Sequence, residues 1–168
     1  MLLSNEGHGS PDRSRLGVRW SARLYRRGED PYLKERVHIP TDGTLGYMKQ
    51  LLDRLEDNCI LLMLGENQGR RNVDGVVLGR SVAFASGAPS LAQRTGAELL
   101  TAYAIRLGTF RYRVVIEPPI QVDWQLARKD YTRECVVVFC GRLESQIRRH
   151  PAGWLAWQRE GSGIPVKS

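Results

Sequence analysis

Cys59-Ile60-Leu61-Leu62-Met63-Leu64, followed directly by Gly65-Glu66-Asn67-Gln68-Gly69-Arg70-Arg71, is the stretch on which the fold class turns. Six apolar residues without a break, closed by glycines and polar side chains, describe a strand covered on both faces. Strands of that kind belong to sheets held between helices. Their polar ends are where such folds place side chains that reach solvent from a fixed base, so residues 65–71 are of functional interest on physical grounds alone.

Working back from this run, Leu45, Met48, Leu52 and Leu55 fall at spacings of three and four, with Lys49, Asp53, Arg54 and Glu56 between them. That describes an amphipathic helix entered through Thr41-Asp42-Gly43-Thr44 and closed by Asp57-Asn58. Tyr32, Leu33, Val37 and Ile39 suggest a short extended segment ending at Pro40, after a turn at Gly28-Glu29-Asp30-Pro31. Residues 12–27 read in two ways: Leu16, Trp20, Arg23 and Leu24 suit a helix face, the preferred reading, whereas Val18, Trp20, Ala22 and Leu24 alternate as in a strand. Met1-Leu2-Leu3-Ser4 reads as the end of a strand opening into Gly7-His8-Gly9-Ser10-Pro11-Asp12, and a start in mid-strand predicts a fold incomplete at its N-terminus.

Working forward, a short helix is expected over residues 88–95 after Gly87, then strands over 99–105 and 110–116 around a turn at Gly108. A last long helix over about residues 130–150 carries Val136, Phe139, Cys140, Leu143 and Ile147 on one stripe, with Arg142, Glu144, Arg148 and Arg149 off it. The expected architecture is a single α/β domain over residues 1–160, with a central, mostly parallel mixed sheet flanked by helices, and a tail at 161–168.

The formal net charge of +7 favours an anionic partner: a phospholipid face, a phosphorylated glycolipid, an acyl carrier protein or a nucleic acid. The arginines are spread from Arg13 to Arg149 and are not interleaved with a row of aromatics, which argues against a dedicated nucleic-acid reader. Cys59, Cys135 and Cys140 form no CxxC pair, and two of them lie in apolar patterns, so buried thiols in a reducing compartment are expected. The apolar run at 59–64 is far short of the roughly 18 to 20 residues that a spanning helix needs, so membrane contact is expected to be peripheral.

An apolar strand followed in order by Gly65-Glu66-Asn67-Gln68-Gly69, Val76-Val77-Leu78-Gly79-Arg80 and Ser86-Gly87-Ala88-Pro89-Ser90-Leu91-Ala92 resembles the core of the lipid A biosynthesis acyltransferases, within the lysophospholipid acyltransferase group. The likeness continues through Arg94-Thr95-Gly96-Ala97 and Ile116-Glu117-Pro118-Pro119. It closes on Arg149-His150-Pro151-Ala152-Gly153-Trp154-Leu155-Ala156-Trp157, which is similar to the family's terminal pattern of a proline followed by two spaced aromatics. The pieces are individually weak, and their order and spacing carry the resemblance.

The resemblance implies an acyltransferase-like fold and a general base of one histidine, oriented by an acid after four intervening residues. His8 and Asp12 stand at the corresponding place, with three residues between them. An imidazole there would take the proton of an acceptor hydroxyl, and the carboxylate would fix its tautomer. The plainer reading makes both residues polar members of a surface loop, with Asp12 capping the next helix. Glu66 and Asn67 stand where the family has Asp followed by Gln or His, and a turn carboxylate paired with Arg70 or Arg71 is the alternative. Arg26, in Tyr25-Arg26-Arg27-Gly28-Glu29-Asp30-Pro31, resembles the family segment whose arginine binds the phosphate-bearing substrate, Arg70 and Arg71 would meet phosphate or carrier-protein acids, and Gly87 would line the substrate side; the plainer reading leaves the arginines as solvated charges.

The implied function is transfer of a fatty acyl group from an acyl thioester, on acyl carrier protein or coenzyme A, to a hydroxyl of a lipid or glycolipid. No bound cofactor and no metal is expected. The expected partners are the acceptor lipid, the thioester donor and an anionic membrane face, with no nucleic acid, and the expected location is the cytoplasmic face of the inner membrane. Two other classes compete: an inactive or fragmentary homologue that binds lipid or a partner protein, which the altered His8 spacing favours, and a basic nucleic-acid-binding domain.

Overall fold

The computed structural model describes residues 2–4, 27–28, 30–38, 46–64 and 71–153. The chain divides into two compact units, residues 1–64 and 65–168, and each is described by itself.

In the first unit, β1 (Leu2–Ser4) and β2 (Arg36–His38) pair in parallel, Leu3 opposite Val37. Helix α1 (Gly46–Glu56) lies against β2 and buries Leu51 completely, while Val37 is also buried. Glu35, just ahead of β2, accepts hydrogen bonds from Arg54 Nε at 2.7 Å and from Gln50 on the same helix, which ties strand to helix through a charge-assisted pair. Asn58, at φ 58°, ends α1 in the left-handed conformation that asparagine tolerates well. The chain then runs through Cys59–Leu64 with an isolated bridge at Leu62 and with Ile60, Leu62 and Leu64 exposed. The continuous central strand expected there is not what forms. Apolar content predicted burial, but burial on both faces needs neighbouring strands, and the run has one bridge residue.

Among the described residues the second unit holds two antiparallel hairpins and two α-helices. Strands β3 (Asn72–Val77) and β4 (Arg80–Ala85) pair in register around a two-residue turn, Leu78-Gly79, with both residues at positive φ (52° and 76°). That handedness matches strand twist, which is why such turns close tight hairpins. The leucine in the left-handed position is secured from outside the hairpin: its N–H donates to Glu144 Oε2 at 2.9 Å, and its side chain packs on the core.

Helix α2 (Gly87–Thr95) follows and ends at Gly96, whose φ of 72° is the usual left-handed exit. Strands β5 (Ala102–Gly108) and β6 (Arg111–Ile116) form the second hairpin, with a bulge between Arg106 and Gly108. Helix α3 (Arg128–Arg149) packs across β3 and against α2. Its stripe of Val136, Cys140, Leu143 and Ile147 joins Val77 and Phe84 in the main core, where Phe84 and Phe139 meet edge to face at 5.4 Å. Ile120, Tyr131 and Cys135 form a second cluster under the loop that precedes α3.

The architecture is α/β, as expected. The expected central, mostly parallel sheet is replaced among the described residues by three two-stranded pairs, of which only β1–β2 is parallel. The reason is connection length. Leu78-Gly79 and Thr109-Phe110 are too short for the crossover that parallel strands require, so each pair folds back on itself.

Candidate active site

Of the residues singled out in the sequence, Gly87 lies among the described ones. His8, Asp12, Arg26, Glu66, Asn67 and Arg70 lie outside them, as do Trp154 and Trp157. The described structure therefore defines the surroundings of Gly87.

Gly87 is the first residue of α2, directly after the end of β4. Ser86, at the N-cap, makes no side-chain bond to the helix. Its hydroxyl and its backbone N–H both donate to the Arg71 carbonyl at 3.0 Å, which fixes the start of α2 to the start of β3. Pro89 in the first turn has no N–H to satisfy there and is buried. Glu66, Asn67 and Arg70 precede Arg71 in the sequence. The first-turn N–H groups of a helix carry partial positive charge, so the corner suits a carbonyl oxygen that gains negative charge, or a phosphate.

A second polar cluster fixes the Ile116-Glu117-Pro118-Pro119 stretch at the end of β6. Arg142 on α3 sets its guanidinium 3.3 Å from Glu117 Oε2 and donates to Thr101 Oγ1 at 3.1 Å and to the Pro118 carbonyl at 2.7 Å. Gln146, one turn later, donates to Glu117 Oε1 at 3.2 Å, and Thr101 donates to Oε2 at 3.2 Å. The Glu117 N–H donates to the Thr101 carbonyl at 3.0 Å, whereas Pro118 and Pro119 offer carbonyl acceptors alone, which a fork of guanidinium donors matches. Beside the cluster, burial pushes the Tyr103 hydroxyl up to about 12, which keeps it neutral.

Sequence reasoning missed three of these fixing residues. Arg142 and Gln146 stand four apart on the flank of the apolar stripe, a spacing that could have marked them as partners of one neighbour. Gln93 on α2 donates to the carbonyls of Trp124 (3.1 Å) and Leu126 (2.8 Å), a loop contact with no sequence signal. Cys135 and Cys140 are buried, as expected, and burial raises both thiols, Cys140 to about 11. Among the described residues there is no group of three or more His, Cys, Asp or Glu side chains placed to hold a metal ion, and no helix is long and apolar enough to cross a membrane.

Comparison with known proteins adds one positive finding. The family model described as bacterial lipid A biosynthesis acyltransferase matches residues 26–160, a range that includes Arg26, Glu66, Asn67, Arg70 and Gly87 and excludes His8 and Asp12. A search of curated proteins returns no match. The family match spans the two hairpins and three α-helices of the described residues and the Arg142-bound Pro118-Pro119 stretch, and on this evidence the chain belongs to the bacterial lipid A biosynthesis acyltransferase family.

Proposed function

We propose that this chain moves a fatty acyl group from a thioester, on acyl carrier protein or coenzyme A, to a hydroxyl of a lipid or glycolipid at the cytoplasmic face of the inner membrane. The family match over residues 26–160 carries the proposal, and the net charge of +7 suits an anionic surface and an acidic carrier.

In the proposed mechanism the His8 imidazole removes the acceptor's hydroxyl proton as the oxygen attacks the thioester carbonyl. Asp12 holds the ring and stabilises the imidazolium. The tetrahedral oxyanion is met by backbone N–H groups of residues 7–10, which act most strongly in a site shielded from water. Collapse restores the carbonyl, breaks the carbon–sulfur bond and expels a thiolate, which takes the proton from His8. The balance closes without an oxidant, a reductant or a metal. Arg26 and Arg70 bind phosphate or carrier acids, and Glu66, Asn67 and Gly87 line the acceptor side.

One observation favours a second reading, an inactive homologue that keeps lipid binding: the His8/Asp12 pair is one residue short of the family spacing and falls outside the matched range. The two are separated by incubating the purified chain with labelled acyl donors and lipid acceptors. Acyl-lipid product supports the enzyme. Bound lipid with no product, even after one residue is inserted between His8 and Asp12, supports the binding protein.

A further inference from the structure

The tip of the β5–β6 hairpin displays an apolar side chain where the backbone opposes it. Phe110 is 94% exposed and sits at φ 57°, a left-handed conformation that costs a bulky side chain and that asparagine or glycine would accept readily. Leu107, on the bulge facing this turn, is about half exposed. Neither side chain is held out by core packing, so the fold itself does not account for a phenylalanine here. Around it stand Arg106, Arg111 and Arg113, all exposed. Arg106 Nε donates to the Gly108 carbonyl at 3.3 Å, and none of the three pairs with an acidic side chain among the described residues.

We propose that this tip is the point at which the protein enters an anionic phospholipid bilayer, an inference that rests on the membrane-surface part of the proposed function. Arg113 lies three residues behind Phe110, at most about 10 Å along a strand, which is the depth to which interfacial segments bury their apolar parts. With Phe110 and Leu107 among the acyl chains, the three arginines reach the headgroup level from both faces of the hairpin, their stems apolar and their charges in the lipid phosphates. A nucleic acid would also draw the arginines and would find Phe110 and Tyr112 exposed for stacking, but it would gain nothing from Leu107.

The test is flotation of the full chain with vesicles of phosphatidylcholine alone and of phosphatidylcholine with an equal part of phosphatidylglycerol. Wild type is expected to float with the anionic vesicles. Phe110→Asn, which relieves the turn backbone and so keeps or raises the unfolding temperature, is expected to weaken partition about tenfold or more. The pair Arg111→Gln with Arg113→Gln is expected to weaken it about twentyfold at low salt, an effect that high salt removes while the Phe110 effect persists. Wild type that floats while both variants float equally overturns the hairpin inference and leaves the membrane reading standing. Wild type that floats with neither vesicle overturns both. Tighter binding of a single-stranded oligonucleotide than of vesicles, lost in Phe110→Asn, overturns the proposal in favour of nucleic acid.

Discussion

Replacing Gly75 by alanine puts a methyl group into the tightest approach between a strand and a helix at any of the described glycines. Gly75 is buried in the middle of β3, opposite Val82, where α3 crosses the sheet. A Cβ there would lie inside van der Waals contact with Cys140 Sγ, 2.9 Å from Val136 Cγ1 and 3.1 Å from Phe84 Cε2. None of these neighbours yields cheaply. Val136 is β-branched on a helix and held to one rotamer, Cys140 is buried, and the Phe84 ring is locked against Phe139. Overpacking of this kind costs about 1–3 kcal/mol. Against it stands the gain from removing a glycine from a strand, about 0.5–1 kcal/mol. The net expectation is a loss of about 1–2 kcal/mol, or a fall of about 2–8 °C in the unfolding midpoint followed by circular dichroism. Cys140→Ala removes the atom most in conflict, so Gly75→Ala with Cys140→Ala is expected to be more stable than the sum of the single changes by about 1 kcal/mol. Gly75→Ala as stable as wild type, or strictly additive single changes, would refute the claim that the glycine is there to admit the helix.

Arg142→Lys keeps the charge but loses the planar fork that holds Glu117, Thr101 and the Pro118 carbonyl; the group is about one-fifth exposed, and a loss of about 1–3 kcal/mol in urea unfolding is expected. The Arg148 guanidinium, and after it the Leu78 N–H, hold the Glu144 carboxyl below the usual carboxylate range. A lowered folded-state value gives stability that is present above the unfolded value and lost as pH falls through the folded one. Wild type and Glu144→Gln should therefore differ at neutral pH and converge as pH drops below the ordinary range near about 4.3. In native protein Cys59 should react with a thiol reagent while the buried Cys135 and Cys140 stay protected until the chain unfolds, which timed mass spectrometry reads directly.

The elements with strong periodicity were legible in the sequence. The α3 stripe from Val136 to Ile147 was read residue by residue, and the β5–β6 hairpin was placed by alternation around Gly108. In α1 the wholly buried residue is Leu51, adjacent to the stripe read from Met48, Leu52 and Leu55, because a helix pressed against one short strand selects a narrow line of contact. The β3–β4 hairpin escaped notice because its turn is Leu78-Gly79, whose unusual leucine depends on Glu144 more than sixty residues away. The run at 59–64 misled for a related reason: its composition is that of a central strand, but strand formation depends on partners that composition cannot reveal. Of the candidate site, the sequence revealed the Gly87 corner as a motif. It gave no sign that Ser86 and Arg71 tie that corner together, since a bond to a backbone carbonyl leaves no trace in residue type.

The central proposal, that the His8 imidazole drives acyl transfer, is tested most directly by the rate at which free thiol appears from the donor thioester in the presence of acceptor lipid, for wild type and for His8→Ala. The account predicts acceptor-dependent thiol release that falls by about 10²–10⁴ in the variant, the contribution of a general base, with an unchanged unfolding midpoint. Equal rates in the two proteins would contradict it.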